Sequence, residues 1–346
     1  MTRFIGGLQL SGMFFEEVVR PILAATFPSL VYAAALIGPG SEVLGYDTAL
    51  STDHCWGARL FLLLDEHTFE AHGAKVARAL HDQTPDTFRG YATNVGPPGY
   101  EGLQIQSMRR FFTDCLGFDP YTTIAPVDWL TTPQQALLEL TAGAVYYDGS
   151  GELERLRTRL AYYPHDLWLY LMAAQWRRIA QQEAFVGRTG HVGDELGSML
   201  VAAAIVRDLM RLCFLIERRY APYSKWFGTA FSRLTCGPKL SRLCETVLLQ
   251  KQWRDREAAL AHVYEAVVTL HNQLGITTQM KATVSPFYDR PYLVIHAEQV
   301  ATALIAAITD PTIRALPHCG ALDQLSDSTD LLDYVQIYGK LRPLYE

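Results

Sequence analysis

The chain is poor in basic charge. Its 30 lysines and arginines are outnumbered by 36 acids, which leaves a net charge of −6. Binding a phosphate backbone wants a basic face, so the balance argues against an extended nucleic-acid partner while allowing a small local nucleotide pocket. Long apolar runs are also missing. Val201–Ile216 is broken by Arg207, Asp208 and Arg211, so no segment reaches membrane-spanning length and no membrane partner is expected. The start, Met1-Thr2-Arg3-Phe4-Ile5-Gly6-Gly7, lacks the long apolar stretch of a signal peptide. The six cysteines form no CxxC pair and read as reduced thiols, which gives a cytoplasmic expectation. There is no repeat of fixed period and no low-complexity segment.

What is present is an ordinary globular composition, 49% apolar over 346 residues, long enough for two domains with separate cores. The patterning changes near Asp148-Gly149. Residues 1–150 alternate helical and strand signals, whereas 151–346 read as mostly helical with short loops, the mark of an antiparallel bundle. In the first part, Phe14, Phe15, Val18, Val19, Ile22 and Leu23 form a helical stripe that Pro21 should kink. Apolar runs at Leu30–Ile37 and Leu60–Leu64 read as strands, Glu66–Leu80 as a helix and Gly90–Gly102 as a loop. Leu103–Ser107 and Ala144–Tyr147 are further strands, with a helix between them at Met108–Leu116 and a helix start at Thr132-Pro133. In the second part, helices are expected around Trp168–Ile179, Met199–Tyr220, Ser224–Leu234, Lys239–Leu249, Arg256–Leu274 and Ala297–Ile308, with a loop over Leu316–Asp330.

Between the first two strands lie Gly38-Pro39-Gly40-Ser41 and then Ser51-Thr52-Asp53-His54-Cys55. Glycine lets backbone N–H groups approach a phosphate, and a serine adds a hydroxyl donor. Two carboxylates two residues apart on a strand share a face and can hold a divalent metal against a triphosphate. Here the first such position is Asp53 and the second is Cys55, a soft ligand that magnesium disfavours. Either another acid supplies the missing oxygen (Asp47, Asp65 and Glu66 are near in sequence), or the site runs different chemistry, or it binds a nucleotide without transferring it. Cys55 reads equally well as a buried inert thiol.

These residues resemble a family. The Gly-Ser turn with Asp53 is similar to the polymerase-beta-type nucleotidyltransferase superfamily, which includes the aminoglycoside (kanamycin) and lincosamide nucleotidyltransferases. A fuller set resembles a bacterial family of uncharacterised nucleotidyltransferase-like proteins, a domain of unknown function. Its pattern matches at Gly38–Ser41, Ser51–His54, Asp128-Trp129-Leu130, Tyr163-Pro164-His165-Asp166, Gly187-Arg188, Gly193–Ser198, and Glu217 through Lys225-Trp226-Phe227-Gly228. The family's usual residue at the Cys55 position is aspartate. The resemblance implies an α+β fold: a polymerase-beta-like nucleotidyltransferase domain, then an α-helical substrate-binding bundle.

It also implies a reaction, the metal-dependent transfer of a nucleoside monophosphate from ATP or another nucleoside triphosphate to a small molecule. Asp53 would hold Mg2+, beside Cys55. Gly40, Ser41, Ser51 and Arg59 would bind the nucleotide, and Lys225 the leaving pyrophosphate. A base for the attacking hydroxyl is expected on a neighbouring strand, but that strand carries Gln104 and Gln106; Asp128, Glu101 and Asp148 are the alternatives. For the acceptor, Glu183, Arg188, Asp194 and Glu195, among Gly187, Gly190, Gly193 and Gly197, offer polar contacts to a cationic or hydroxylated molecule, as do Tyr220 and Tyr223. The same acids would serve equally as helix caps and salt bridges, and Arg218 and Arg219 as a solvated helix face. The alternative function is a nucleotidyltransferase fold that has lost transfer and serves binding, regulation or another reaction. Oligomeric state is left open.

Overall fold

The structure, a computed structural model, describes residues 4–53, 56–93 and 102–345. The described chain forms two compact units. The first comprises the chain to Asp128, Gln135–Ala161 and Val335–Gly339; the second comprises Trp129–Gln134, Tyr162–Tyr334 and the chain from Lys340. The class read from the sequence holds: a small mixed sheet with helices, then a helical region. No described helix is long and apolar enough to cross a membrane.

The first unit opens with α1 (Gly7–Phe14), a π-helical turn (Phe15–Val19) and α2 (Arg20–Thr26). The expected kink is therefore a widened turn just before Pro21, whose missing N–H removes one i→i−4 bond. Strand β1 (Ala33–Leu36) follows, then a 3-10 turn (Ala49–Asp53), β2 (Leu60–Leu64) and α3 (Glu66–Gln83). Asp65 caps α3 by accepting the Thr68 N–H at 3.0 Å. A small ribbon, β3 (Thr87–Phe88) with β4 (Tyr91–Ala92), follows, and β5 (Leu103–Ser107) and α4 (Met108–Leu116) come later; most of the loop expected over Gly90–Gly102 lies outside the described residues. Ser107 caps α4, and Gly117 ends it in the left-handed region. Then come α5 (Pro126–Thr131), α6 (Gln134–Thr141), β6 (Ala144–Asp148) and α7 (Glu152–Arg159). Arg157 gathers the carbonyls of Leu140 and Thr141, at the end of α6, and of Ala142 just beyond it, at 2.8–3.2 Å.

The sheet order is β5-β2-β1-β6, with β1 antiparallel to both neighbours and β2 parallel to β5. One face is apolar and packs on the helices. Ala34, Leu60 and Leu62 join Leu10, Phe14, Phe15, Val19, Leu23, Val76 and Leu80 in one core, with Leu103 and Ile105 against it. The period of two then sends Phe61, Gln104 and Gln106 to the opposite face, where Phe61 meets Phe111 of α4 at 4.7 Å.

The second unit is built on α8 (His165–Gln182), α9 (Phe185–His191), α10 (Glu195–Ile216), α11 (Ser224–Ser232), α12 (Gly237–Leu249), α13 (Trp253–Gln273) and α14 (Ala297–Ala307). Its core includes Trp168, Trp176, Ile205, Leu209, Leu212, Val263 and Val267. Two features were not legible as such. A hairpin, β7 (Ser285–Phe287) with β8 (Arg290–Val294), interrupts the helices. The stretch read as a loop contains a short helix at Leu322–Leu325, whose polar side chains are buried. Asp323 accepts the Gln134 N–H at 2.9 Å, and Gln324 donates to Gln175 at 2.9 Å. Tyr345 is also fixed, donating its hydroxyl to the Gly320 carbonyl at 2.8 Å.

Candidate functional site

The Gly-Ser turn leaves the end of β1, a strand flanked on both sides. Gly38 and Gly40 both take positive φ, 87° and 151°. The Gly38 N–H donates to the Glu139 carbonyl at 2.9 Å, and Ser41 closes a tight loop by accepting the Tyr46 N–H at 2.8 Å. Beneath the turn lies a residue that sequence reasoning passed over. Glu42 is 1% exposed, and a Cβ on Gly40 would stand 2.7 Å from its Oε2. Gly40 is thus required twice, by its dihedral and by the carboxylate packed against it.

Arg59, expected on a triphosphate, is 3% exposed and donates to Glu42 Oε1 at 2.7 Å and to the Pro39 carbonyl at 3.0 Å. The guanidinium therefore ties β2 to the Gly-Ser turn. Burial pushes the Glu42 carboxyl above the usual carboxylate range, and the Arg59 charge opposes that shift. The sequence signal for the pair was weak: an acid straight after Gly-Ser and an arginine at the foot of a buried strand.

Asp47 accepts the Gly7 N–H at 2.7 Å and the Trp56 indole N–H at 3.1 Å, so it holds the start of α1. Ser51, expected on the nucleotide, accepts the Thr48 N–H at 3.0 Å within the loop. The strand placement of Asp53 needs correction. Asp53 ends the 3-10 turn, and β2 begins only at Leu60. Gly57 and the polar run before it carry no alternating pattern, so the strand starts where continuous apolar residues start. The Asp53 side chain, His54, Cys55 and Glu101 lie outside the described residues.

Magnesium wants several oxygen ligands. The sequence offers one carboxylate, Asp53, with a thiol at the second position, and among the described residues no three His, Cys, Asp or Glu side chains gather as a metal site. The soft thiol at the second position disfavours magnesium there.

Two candidate bases, Asp128 and Asp148, are engaged locally, and the strand expected to carry a base holds glutamines. Gln104 and Gln106 share a face of β5 and bond to each other at 2.8 Å. Asp128 accepts the Ala125 N–H at 2.8 Å at the start of α5. Asp148, at the end of β6, accepts the Glu154 N–H at 3.0 Å.

In the second unit, Lys225 is exposed in the first turn of α11, with its ammonium 5.0 Å from the Trp226 ring centre. Tyr220 is buried among Tyr162 and Tyr163, with ring centres 5.2 and 5.3 Å away, and Tyr223 precedes α11 as its cap residue. Arg218 stacks on Trp168 at 4.0 Å. The four residues near the glycines take separate places. Asp194 caps α10, accepting the Gly197 N–H at 2.7 Å. Glu195 accepts from Trp253 N at 3.1 Å and from Arg256 at 3.2 Å. Arg188 is exposed and lies over Phe185 at 5.5 Å.

Glu183 is buried, and it accepts the N–H groups of Ile295 and Ala297 at 3.0 and 3.4 Å. It thereby clamps both sides of His296, a non-glycine residue at φ 58°. The imidazole Nε2 lies 2.8 Å from Ser285 Oγ. Burial pushes the Glu183 carboxyl up to about 7. Glu183 and His296 line a cavity of about 560 Å3 with Arg177, Gln181, Phe287 and Tyr288. Sequence reasoning found Glu183 but not the hairpin that builds this cavity.

Comparison with known proteins finds similarity to a family model and to solved structures. A family model described as a domain of unknown function, DUF4037, matches residues 129–227. Among solved structures, the chain is similar to a nucleotidyltransferase-like protein from Exiguobacterium sibiricum 255-15, at 11% identity, over 85% of this chain and 89% of that one, with a TM-score of 0.35. No curated protein matches.

Proposed function

We propose that the first unit binds a nucleoside triphosphate at the Gly38–Ser41 turn and transfers its nucleoside monophosphate to a small-molecule acceptor. The observation that carries this reading is the turn itself. It leaves the end of β1 with two glycines at positive φ, the backbone form that lets N–H groups approach a phosphate. The resemblance of the Gly-Ser and Asp53 motifs to nucleotidyltransferases supplies the reaction class.

Magnesium would enter with the triphosphate as part of the substrate, and Asp53 is the carboxylate proposed to meet it. In the transfer, an acceptor hydroxyl oxygen bonds to the α-phosphorus and gives its proton to solvent, the bond from that phosphorus to the α–β bridging oxygen breaks, and pyrophosphate leaves with the bonding electron pair. Arg59 acts indirectly in this scheme. It neutralises Glu42 under the turn, so that a buried carboxylate does not repel the phosphates. The small-molecule site offered by the second unit is the cavity beside Glu183.

A second reading, nucleotide binding without transfer, is favoured by Cys55 at the second acidic position and by glutamines in place of an acid on β5. Calorimetry with magnesium–ATP and a pyrophosphate-release assay, run on the same preparation with a panel of hydroxylated and amino acceptors, separate the two. Binding with release supports transfer; binding without release supports the second reading; no binding of any nucleoside triphosphate removes both.

A further inference from the structure

Helix α10 buries one face through Ala202, Ile205, Val206 and Leu209. Its first two turns also carry apolar residues on the outside. Leu196 is 68% exposed, Met199 43% and Leu200 64%, and the spacing of three and four places them along one stripe that Ala203 extends. Val192, just before the helix, is 79% exposed. A second exposed apolar pair, Leu248 and Leu249 at 49% and 78%, ends α12.

One guanidinium holds the two groups at the same end of the unit. Arg256 donates to Glu195 Oε2 at 3.2 Å, next to Leu196, and to the Gln250 carbonyl at 3.0 Å, next to Leu249. Arg256 is itself buried, so this junction is fixed rather than a surface accident. The six side chains are 43–79% exposed, more than the single scattered apolar residues of an ordinary surface, and exposed apolar groups gathered in this way mark an interaction site.

We propose that a second copy of this chain covers this face, in a two-fold dimer seated on the start of α10 and the end of α12. The rim supports a self-complementary partner. It carries both signs of charge, exposed Arg188, Lys251 and Arg254 with exposed Asp194 and Asp255, so each copy offers the other its opposite charges under a two-fold axis. An apolar stripe with a small residue at its inner end also suits helix-on-helix packing of α10 against its own copy.

The test is the solution mass of the full chain by light scattering on an eluting column, at micromolar concentration. The expected wild-type mass is twice the 38.8 kDa of one chain. The double variant Leu196→Glu/Leu200→Glu should elute at the single-chain mass with an unchanged circular-dichroism spectrum, because both positions are solvent-exposed in one copy. Leu249→Lys, on the other element, should independently shift the equilibrium towards the single chain by tenfold or more. A wild type at 38.8 kDa overturns the proposal. So does a folded double variant, or a folded Leu249→Lys protein, that keeps the wild-type dimerisation.

Discussion

Replacing Arg59 by methionine should cost more than its surface-like residue type suggests. The guanidinium and Glu42 are 3% and 1% exposed, so solvent screening does not discount their pairing. Removing one member of a buried pair leaves the other charge uncompensated, an effect of about 3–5 kcal/mol. For a protein of this size that corresponds to a fall in melting temperature of roughly 4–7 °C. The dependence on pH identifies the cause. Burial raises the Glu42 carboxyl in the folded state and Arg59 opposes the rise, so Arg59→Met should raise it further. A group raised on folding contributes its stability below its unfolded value, and that contribution is lost as pH climbs through the folded value. The penalty of Arg59→Met should therefore be largest at neutral pH and shrink below the usual carboxylate range, where Glu42 is protonated in both states. Adding Glu42→Gln should recover part of the loss at neutral pH. Urea unfolding of wild type, single and double variants at neutral and acidic pH measures all of this. A penalty under about 1 kcal/mol, well below the range for a broken buried pair, or one that does not depend on pH, would refute the reasoning.

Gly40→Ala should lose about 1–3 kcal/mol from backbone strain alone, with a Cβ only 2.7 Å from Glu42 Oε2, and nucleotide affinity should fall with it; melting curves and calorimetry check both. Glu183, raised to about 7, should make stability decline as pH rises from the usual carboxylate range through neutrality, by at most about 1.4 kcal/mol per pH unit. Glu183→Gln keeps an acceptor for the Ile295 and Ala297 N–H groups, so denaturation across that range should show a flatter slope. Cys55→Asp supplies a hard oxygen at the second acidic position, and magnesium-dependent pyrophosphate release should rise; a folded variant with no gain in release or in magnesium affinity removes Cys55 from the nucleotide site.

How far the sequence determined these features depends on local signal. Leu103–Ser107 and Met108–Leu116 are read residue for residue, because a strand, a serine cap, an amphipathic helix and a terminal glycine follow one another without a gap. The helices of the second unit are legible for the same reason: each has a long apolar period and a short connection. Between Gly38 and Gly57 that logic fails. The run is polar and glycine-rich, so neither a period of two nor of 3.6 is present, and Asp53, expected on a strand, ends a 3-10 turn seven residues before β2. The Glu42–Arg59 pair depends on β2 lying beside β1, a tertiary fact that no window of sequence contains. The hairpin at Ser285–Val294 is short and proline-bearing, which masks its alternation. Buried Asp323 and Gln324 read as loop because their partners, Gln134 and Gln175, are about 150 residues or more away in the chain.

The central claim is that the Gly38–Ser41 turn binds a nucleoside triphosphate with Asp53 as its acidic partner. The most direct measurement is calorimetric titration of magnesium–ATP, and of the other common nucleoside triphosphates, into wild type and Asp53→Ala, with melting temperatures recorded for each. The account predicts saturable binding of at least one triphosphate to wild type and its loss in a folded Asp53→Ala protein. Binding to Asp53→Ala with undiminished affinity, or no binding of any triphosphate to folded wild type, would contradict it.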